Sequence, residues 1–266
     1  LLYTMHDPKY NYLYETEPEP FMNNRKMFCP RGKMLGGCSS HNGMVHVRGN
    51  AMDFENWGQL GLSNWNYESV LPYFKKSESI EGLDTEYRNT DGPLKLSRTE
   101  NGNILSKIYL EAAAEAGYEI NNDMNGYKQE GFGLMDTTIF DGKRQSTSVT
   151  YLHPIKQRQN LTLITNIQVS KIIIENSSAI GVEIKNKNEL EKIFAEKEVL
   201  LSAGAINSPQ ILMLSGVGPE EELKNHGINV ISALNGVGEN LQDHLETYVQ
   251  YECTKPVTLY SSFNPI

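Results

Sequence analysis

Cysteine is scarce in this sequence and is not arranged for a cysteine-based site. The three cysteines, Cys29, Cys38 and Cys253, have no CxxC spacing among them. Such a set predicts neither a disulfide framework nor a zinc site, and no other metal centre is indicated. Free thiols in a chain of 266 residues favour a reducing compartment.

Long apolar runs and an excess of positive charge are absent as well. No run approaches the ~18 residues of a membrane-spanning helix, and no secretory signal opens the chain. The formal net charge is -9, from 24 basic and 33 acidic residues. Because an acidic chain with scattered cations makes few phosphate contacts, we expect no binding to nucleic acid.

The GxGxxG fingerprint of dinucleotide-binding folds is also missing. Two explanations stay open: the chain binds no dinucleotide, or the strand and helix that bind it precede Leu1. The sequence starts at Leu1 rather than at methionine and stops at Ile266 without a tidy terminus. We therefore expect an internal piece of a longer protein.

Helical and strand patterns are both present. Apolar residues three and four positions apart predict helices over 67–76 and 103–116. The predicted apolar face of the second helix consists of Leu105, Ile108, Ala112 and Ala116. Strand patterns fall at 131–140, 161–165, 169–174, 179–184 and 198–201. Strands with sparse helices between them indicate a mixed α/β or α+β protein.

The segment 197–218, KEVLLSAGAINSPQILMLSGVG, has the strongest local pattern. A short buried strand leads into the small residues 203–205. Ser208 followed by Pro209 then predicts the start of a helix. The free N–H groups of a helix start suit an anionic or carbonyl-rich ligand, although an ordinary strand–turn–helix connection has the same pattern.

Three stretches together resemble the glucose–methanol–choline (GMC) family of flavin oxidoreductases. They are residues 31–57 (RGKMLGGCSSHNGMVHVRGNAMDFENW), 204–218 (GAINSPQILMLSGVG) and 236–244 (GVGENLQDH). Their order and spacing are those of the family. Within the family, the choline dehydrogenases are especially similar, through residues 10–33, 123–136 and 238–257.

The resemblance implies an α/β (mixed α+β) fold. A partial Rossmann-like FAD-binding domain would join a partial substrate domain built on an antiparallel sheet. The predicted division assigns 1–85 and 159–243 to the FAD-binding domain, the first with a flavin-covering loop. It assigns 86–158 to the substrate domain and 244–266 to the start of that domain's second segment.

The resemblance also implies FAD as the cofactor. The implied contacts are Arg31, Gly32, Leu35, Gly36, Gly37, Ser39, His41, Asn42, Gly43, Val169, Ala203 and Gly204. Gly36 and Gly37 would let the backbone lie against the flavin ring, to which Asn42 offers an amide. Val169 lies where the family packs a strand against the adenine, although such a residue is also ordinary core.

His41 leaves two interpretations open. The similar choline oxidases carry the same GGCSSHN string, and there the histidine is joined covalently to the flavin. In the alternative, His41 holds FAD by contact alone.

The implied activity is FAD-dependent oxidation of a primary alcohol, choline to betaine aldehyde. Glu246 matches the position at which the choline oxidases hold the trimethylammonium group, a cation that carboxylates and aromatic faces recognise. The family's catalytic histidine pair lies near the C-terminus and has no counterpart here, so we expect this chain to be inactive alone. Three alternatives stay open: a choline oxidase using oxygen, another GMC alcohol dehydrogenase or hydroxynitrile lyase, and an inactive flavin-binding remnant.

The electron acceptor and the location stay open too. Electrons would pass to oxygen or to another acceptor such as a membrane quinone. The implied location is the cytoplasm or the periphery of a bacterial inner membrane, and the mitochondrion in a eukaryote. A homo-oligomer is also compatible with the resemblance.

Overall fold

The computed structural model describes residues 2–98, 103–187 and 189–259, and the chain divides into two compact units. Unit 1 comprises residues 1–161 with 252–266, and unit 2 comprises residues 162–251. Both contain helices and strands, which confirms the mixed α/β class. The predicted FAD-binding and substrate domains are defined by what they would bind, whereas the two units are defined by their compactness. The predicted domain boundaries therefore stay a prediction. Among the described residues, no helix has both the length and the apolar character that crossing a bilayer demands.

Unit 1 contains short strands in several small sheets, with helices between them. Its helices are α1 (Leu2–Met5), α2 (Ala51–Gln59), α3 (Tyr67–Ser77) and α4 (Ile104–Glu115). Its strands are β1 (Tyr14–Glu15), β2 (Phe28–Cys29), β3 (Val45–His46), β4 (Glu78–Ser79), β5 (Leu94–Lys95), β6 (Ser97–Arg98), β7 (Asp136–Thr137), β8 (Ile139–Phe140) and β9 (Lys143–Arg144). The sheets are β1–β2, β3–β7–β6, β4–β5 and β8–β9, and only the β4–β5 pair is parallel among these described strands. Single helical turns cover Pro20–Met22, Gly37–Ser40, Ser63–Trp65 and His153–Ile155, and a π-helix covers Ser148–Leu152.

Helix α2 begins at a reciprocal cap and packs against α3 through aromatic rings. Asn50 Oδ1 accepts the N–H of Met52 (2.9 Å), and Asp53 Oδ2 accepts the N–H of Asn50 (3.1 Å). These bonds satisfy backbone donors that the start of a helix leaves open. Phe54 of α2 is buried and meets Phe74 of α3 edge to face, with ring centroids 5.5 Å apart. The two helices therefore share one aromatic core.

A buried ionic cluster joins the strands of unit 1. Glu78 is fully buried and accepts a hydrogen bond from Arg88 Nε at 2.7 Å. Its carboxylate also forms an ion pair with Arg48 Nη2 at 2.7 Å. Arg88 also donates to Asp136 at 2.9 Å. Desolvation raises the pKa of Glu78, yet His46 and the two guanidinium groups lower it to about 2. The cluster is therefore ionised at neutral pH, and each buried charge faces an opposite one.

Unit 2 combines an antiparallel meander with two helices. Its strands are β10 (Gln168–Glu175), β11 (Ser178–Asn186), β12 (Glu189–Phe194), β13 (Val217–Gly218) and β14 (Ser232–Ala233), and its helices are α5 (Gly204–Leu214) and α6 (Glu220–Asn225). β11 lies between β10 and β12, and β13 pairs with β14 in parallel. Ser215 joins α5 to β10, because its Oγ accepts the N–H of Ile172 (2.8 Å) and donates to the carbonyl of Ile211 (2.5 Å). All six residues of β12 are exposed.

The structure confirms some predicted elements and corrects others. The helices predicted over 67–76 and 103–116 are α3 and α4, and the strands predicted over 169–174 and 179–184 are β10 and β11. The strands predicted at 161–165 and 198–201 are wrong: these segments pair with no strand among the described residues. A β-favouring sequence forms a strand only where a neighbour completes its hydrogen bonds.

The start of α5 is corrected as well. The helix begins at Gly204, four residues before the predicted Ser208. Gly204 has φ +89°, which glycine adopts without strain, so the chain can turn into the helix at that point. Ser208 Oγ accepts the N–H of Ala203 (3.0 Å). Ser208 therefore lies inside α5, and its side chain satisfies the backbone N–H of the residue that precedes the helix.

The predicted apolar face of α4 is largely exposed. Ala113 is buried and Leu105 and Leu110 are half-buried, whereas Ile108, Ala112 and Ala116 are exposed. Apolar residues occupy several sides of this helix, so their periodicity alone cannot decide which side packs.

Candidate cofactor site

The loop at 31–43 in unit 1 is folded around one short helical turn. Gly36 precedes the Gly37–Ser40 turn with φ +87°, and Gly37 follows with φ +53°. These left-handed conformations favour glycine over every other residue. The GG pair in the sequence is therefore required by the turn itself.

The four glycines of the loop do not have the same role. A Cβ on Gly32 would lie 2.4 Å from the carbonyl carbon and oxygen of Gly37, so this glycine allows the loop to close on itself. A Cβ on Gly36 would lie 2.4 Å from Ser40 Oγ. Around Gly37 and Gly43 a Cβ would meet no atom within 4 Å. Only these last two leave open space beside the backbone, as an approaching ligand requires.

Ser39 connects the loop to the start of the π-helix. Its Oγ donates to the carbonyl of Gly36 (2.5 Å) and accepts the N–H of Thr147 (3.0 Å). Thr147 Oγ1 lies 3.1 Å from the same Ser39 Oγ. Ser40 Oγ donates to the carbonyl of Leu35, whose own side chain is exposed. Two chain segments more than 100 residues apart in sequence are thereby held together.

Arg144 fixes the end of the loop. Its Nη1 donates to the carbonyl of Ser39 (3.1 Å) and to Asn42 Oδ1 (2.7 Å). Asn42 Oδ1 also accepts the N–H of Met44 (3.1 Å). Because both neighbours are donors, the Asn42 amide must present its oxygen to them. Its NH₂ group has no partner among the described residues and faces away from both donors.

His41 is buried with one ring nitrogen unsatisfied. The residue is 7% exposed, and its Nδ1 is buried without a hydrogen-bond partner among the described residues. Burial lowers the pKa of His41, and the charges of Arg144 and Arg31 lower it further. The imidazole is therefore neutral at neutral pH, which is the form that has a free lone pair on nitrogen.

Arg31 lies at the start of the loop, and a hydrogen bond from its backbone N–H fixes its position. Its N–H donates to Asn11 Oδ1 (2.9 Å), and Asn11 is itself buried. The Arg31 guanidinium donates to the carbonyl of Pro30 (2.7 Å). No acidic side chain forms an ion pair with Arg31 or Arg144 within the described residues.

The predicted contacts of unit 2 lie on β10 and at the start of α5. Val169 is half-buried and pairs with Ile184 of β11. Ala203 directly precedes α5 and is exposed, and a Cβ on Gly204 would meet no atom within 4 Å. The backbone at Gly204 therefore has open space beside it, and the contact of Ala203 and Gly204 with FAD stays a prediction.

Glu246 lies in the exposed segment that follows β14, where no regular element is present. It accepts a hydrogen bond from the hydroxyl of Tyr248, which is 79% exposed. The hydrogen bond and the charge of Glu246 raise the pKa of that hydroxyl. Within unit 2, Glu246 is therefore close to one aromatic ring and is not enclosed.

Three residues that contact the loop at 31–43 could not be identified as its neighbours from the sequence. Asn11 and Thr147 are distant in the chain and of common type, and Arg144 lies in the unremarkable string GKRQSTS. Their contacts to the loop depend on tertiary structure. Within the described residues, no group of three or more His, Cys, Asp or Glu side chains is arranged to hold a metal ion.

One family model and several curated proteins match nearly the whole chain. A family model described as GMC oxidoreductase matches residues 10–246. The oxygen-dependent choline dehydrogenase of Brucella anthropi is 47% identical over 264 residues, which are 99% of this chain and 48% of that protein. The mitochondrial choline dehydrogenase of Mus musculus is 48% identical over 260 residues, which are 98% of this chain and 44% of that protein. The chain spans about half the length of these curated relatives.

Solved structures are also similar to this chain over most of its length. An FAD-dependent oxidoreductase from Chaetomium thermophilum has a TM-score of 0.82 and 31% identity, over 90% of this chain and 44% of that one. Pyridoxine 4-oxidase from Mesorbium loti has a TM-score of 0.79 and 27% identity, over 84% of this chain and 44% of that one. The predicted resemblance is thus confirmed, and the chain belongs to the GMC oxidoreductase family.

Proposed function

We propose that this chain is part of a longer FAD-dependent enzyme that oxidises choline to betaine aldehyde. The observation that carries the proposal is 47–48% identity to choline dehydrogenases over nearly the whole chain. Because the chain covers less than half of these relatives, the rest of the enzyme would supply the catalytic histidine pair and the GxGxxG strand and helix. This 266-residue chain would then bind FAD poorly and turn over no choline alone.

The residues of the loop at 31–43 fit a flavin cofactor. Gly37 and Gly43 leave open space beside the backbone, His41 has an unsatisfied buried nitrogen, and Arg31 has no acidic partner within the described residues. The proposed cofactor contacts in unit 1 are Arg31, Gly32, Leu35, Gly36, Gly37, Ser39, His41, Asn42 and Gly43. Those in unit 2 are Val169, Ala203 and Gly204. Bound FAD supplies the hydride acceptor for oxidation of the alcohol carbon.

His41 remains a candidate for covalent attachment of FAD. The neutral, buried imidazole with a free lone pair is the form that a bond to the flavin requires. Attachment by contact alone stays the alternative, and acid precipitation of the enzyme separates the two.

Glu246 is the proposed partner of the substrate's quaternary ammonium group. Its carboxylate and the adjacent ring of Tyr248 are the two kinds of group that recognise such a cation. Because Glu246 is exposed, a ligand can reach its carboxylate from solvent.

Oxygen and a membrane quinone both remain candidate electron acceptors. The Brucella relative is an oxygen-dependent choline dehydrogenase, which favours oxygen, whereas the mouse relative is a mitochondrial choline dehydrogenase. We propose a location in the cytoplasm or at the inner-membrane periphery of a bacterium, and in the mitochondrion of a eukaryote. A homo-oligomer is part of the same proposal.

An assay on the full-length protein tests the proposed function. Choline should reduce the bound flavin, and turnover should be followed both with an artificial dye and as oxygen consumption. Turnover in both assays identifies oxygen as an acceptor, and turnover with dye alone points to a quinone. Cleavage of a cyanohydrin without net redox would instead identify a lyase, and flavin that no alcohol reduces would identify an inactive remnant.

A further inference from the structure

Arg144, like Arg31, differs from the other partly or fully buried arginines of unit 1. Arg48, Arg88 and Arg98 each meet at least one carboxylate within 4.0 Å. Arg144 is half-buried and meets only neutral acceptors among the described residues. Removing a cation from water without an opposite charge is unfavourable. Burial accordingly lowers the pKa of Arg144.

The hydrogen bonds of Arg144 leave most of its donors unused. A guanidinium carries five N–H groups, and the bonds found here both start from Nη1. The bond to Asn42 Oδ1, with the N–H of Met44 on the same oxygen, holds Asn42 with its oxygen toward the arginine. The Asn42 NH₂ group is thereby left as a second, oriented donor beside the cation.

The surroundings contain donors and positive charge, and no carboxylate among the described residues pairs with either arginine. Arg31 also lacks an acidic partner within the described residues, and both arginines lower the pKa of His41. The backbone at Gly37 and Gly43 is open. Such a set of unused donors next to open space has the chemistry of a preformed anion site.

We propose that Arg144, together with the Asn42 amide that it orients, binds the negative charge of the cofactor. This inference rests on the proposed function. The charge has two sources in FAD: the diphosphate, and the ring once it is reduced. A guanidinium group binds either charge in the same way, so the experiment has to distinguish the diphosphate from the reduced ring.

The test uses the full-length enzyme with Arg144→Gln, Arg144→Lys and the matched control Arg158→Gln, which removes an exposed arginine of the same unit. Two quantities are measured: the flavin reduction potential, and the dissociation constant of oxidised FAD. The dissociation constant is measured in a His41→Asn background, which makes FAD binding reversible in every variant. If Arg144 faces the ring, Arg144→Gln weakens binding of the reduced cofactor about tenfold relative to the oxidised one. The potential then falls by about 30 mV for a two-electron couple.

If Arg144 faces the diphosphate, Arg144→Gln weakens binding of oxidised FAD about tenfold and leaves the potential and the binding of riboflavin unchanged. In either case Arg144→Lys should recover part of the loss, because it keeps the charge. A second variant, Asn42→Asp, keeps the arginine but neutralises it, and it decides the question if Arg144→Gln does not fold.

Potentials and dissociation constants equal to those of Arg158→Gln in both Arg144→Gln and Asn42→Asp would overturn the inference. A wild-type full-length protein that carries no flavin would instead overturn the proposed function. The two failures are therefore distinguishable by the flavin spectrum of the wild type.

Discussion

Replacing Glu78 with glutamine should remove much of the stability of unit 1. Glu78 is fully buried and neutralises Arg48 and Arg88 at 2.7 Å each. Arg88 retains Asp136 when the charge of Glu78 is lost, but no other carboxylate among the described residues pairs with Arg48. Leaving one buried charge uncompensated costs about 3–5 kcal/mol, a large share of the 5–15 kcal/mol that typically stabilises a folded protein.

The lowered pKa of Glu78 makes this stabilisation depend on pH. A fall from 4.5 to about 2 on folding corresponds to about 3 kcal/mol, at about 1.4 kcal/mol per pH unit. Because the pKa is lower in the folded state, this stabilisation is complete above about pH 5 and is lost as the pH falls toward 2. Glu78→Gln should lack this part of the acid dependence.

Urea unfolding of the chain measures both effects. The fluorescence of Trp57 and Trp65 reports on unit 1, and the free energy of unfolding is compared at pH 7 and pH 3. The matched control is Glu111→Gln, which removes an exposed carboxylate 3.6 Å from Lys107 and should cost no more than about 0.5 kcal/mol. A loss below about 1 kcal/mol at pH 7 for Glu78→Gln, or an unchanged acid dependence, would refute the reasoning.

Three further predictions concern the loop and the substrate. Gly32→Ala should destabilise the cofactor-free chain by about 1–3 kcal/mol in urea, because the new Cβ would lie 2.4 Å from backbone atoms, whereas Gly43→Ala should leave its stability unchanged. Equal stabilities for the two variants would contradict the proposed loop closure. Glu246→Gln in the full-length enzyme should weaken choline binding by about 2–5 kcal/mol and should affect the neutral analogue 3,3-dimethylbutanol far less. Equal losses for both substrates would make Glu246 structural. Acid precipitation of the full-length wild type should leave a yellow pellet if His41 holds FAD covalently, and His41→Asn should then release the colour. A yellow supernatant over a colourless wild-type pellet would show attachment by contact alone.

Local patterns predicted the elements whose partners lie nearby in sequence. β10 and β11 pair with each other in a hairpin, and α3 has an apolar stripe along one face. The residues that determine these elements therefore lie within the elements or next to them in the sequence. The segment 198–201 has the same β-favouring composition, yet it pairs with nothing among the described residues. Whether such a segment becomes a strand depends on a neighbour that its own residues do not specify.

In the candidate site too, local features could be predicted from the sequence and long-range contacts could not. The left-handed turn at Gly36 and Gly37 can be predicted from the sequence, because glycine adopts such conformations most readily. The distinction between Gly32, which closes the loop, and Gly43, which leaves space open, depends on which residues the fold brings next to each glycine. Arg144 reaches Asn42 across 102 positions of chain, and no periodicity encodes a contact at that distance.

The exposed strand β12 bears on self-association of the chain. It forms one edge of the meander, so one side of its backbone has N–H and C=O groups without a strand partner among the described residues. Leu190, Ile193 and Phe194 are exposed there, and an edge with such side chains could pair with a second copy and begin aggregation. Glu189, Glu191 and Lys192 lie in the same strand, and burying these charges against another strand would cost desolvation. The charged residues of β12 therefore act as gatekeepers that keep the edge in water.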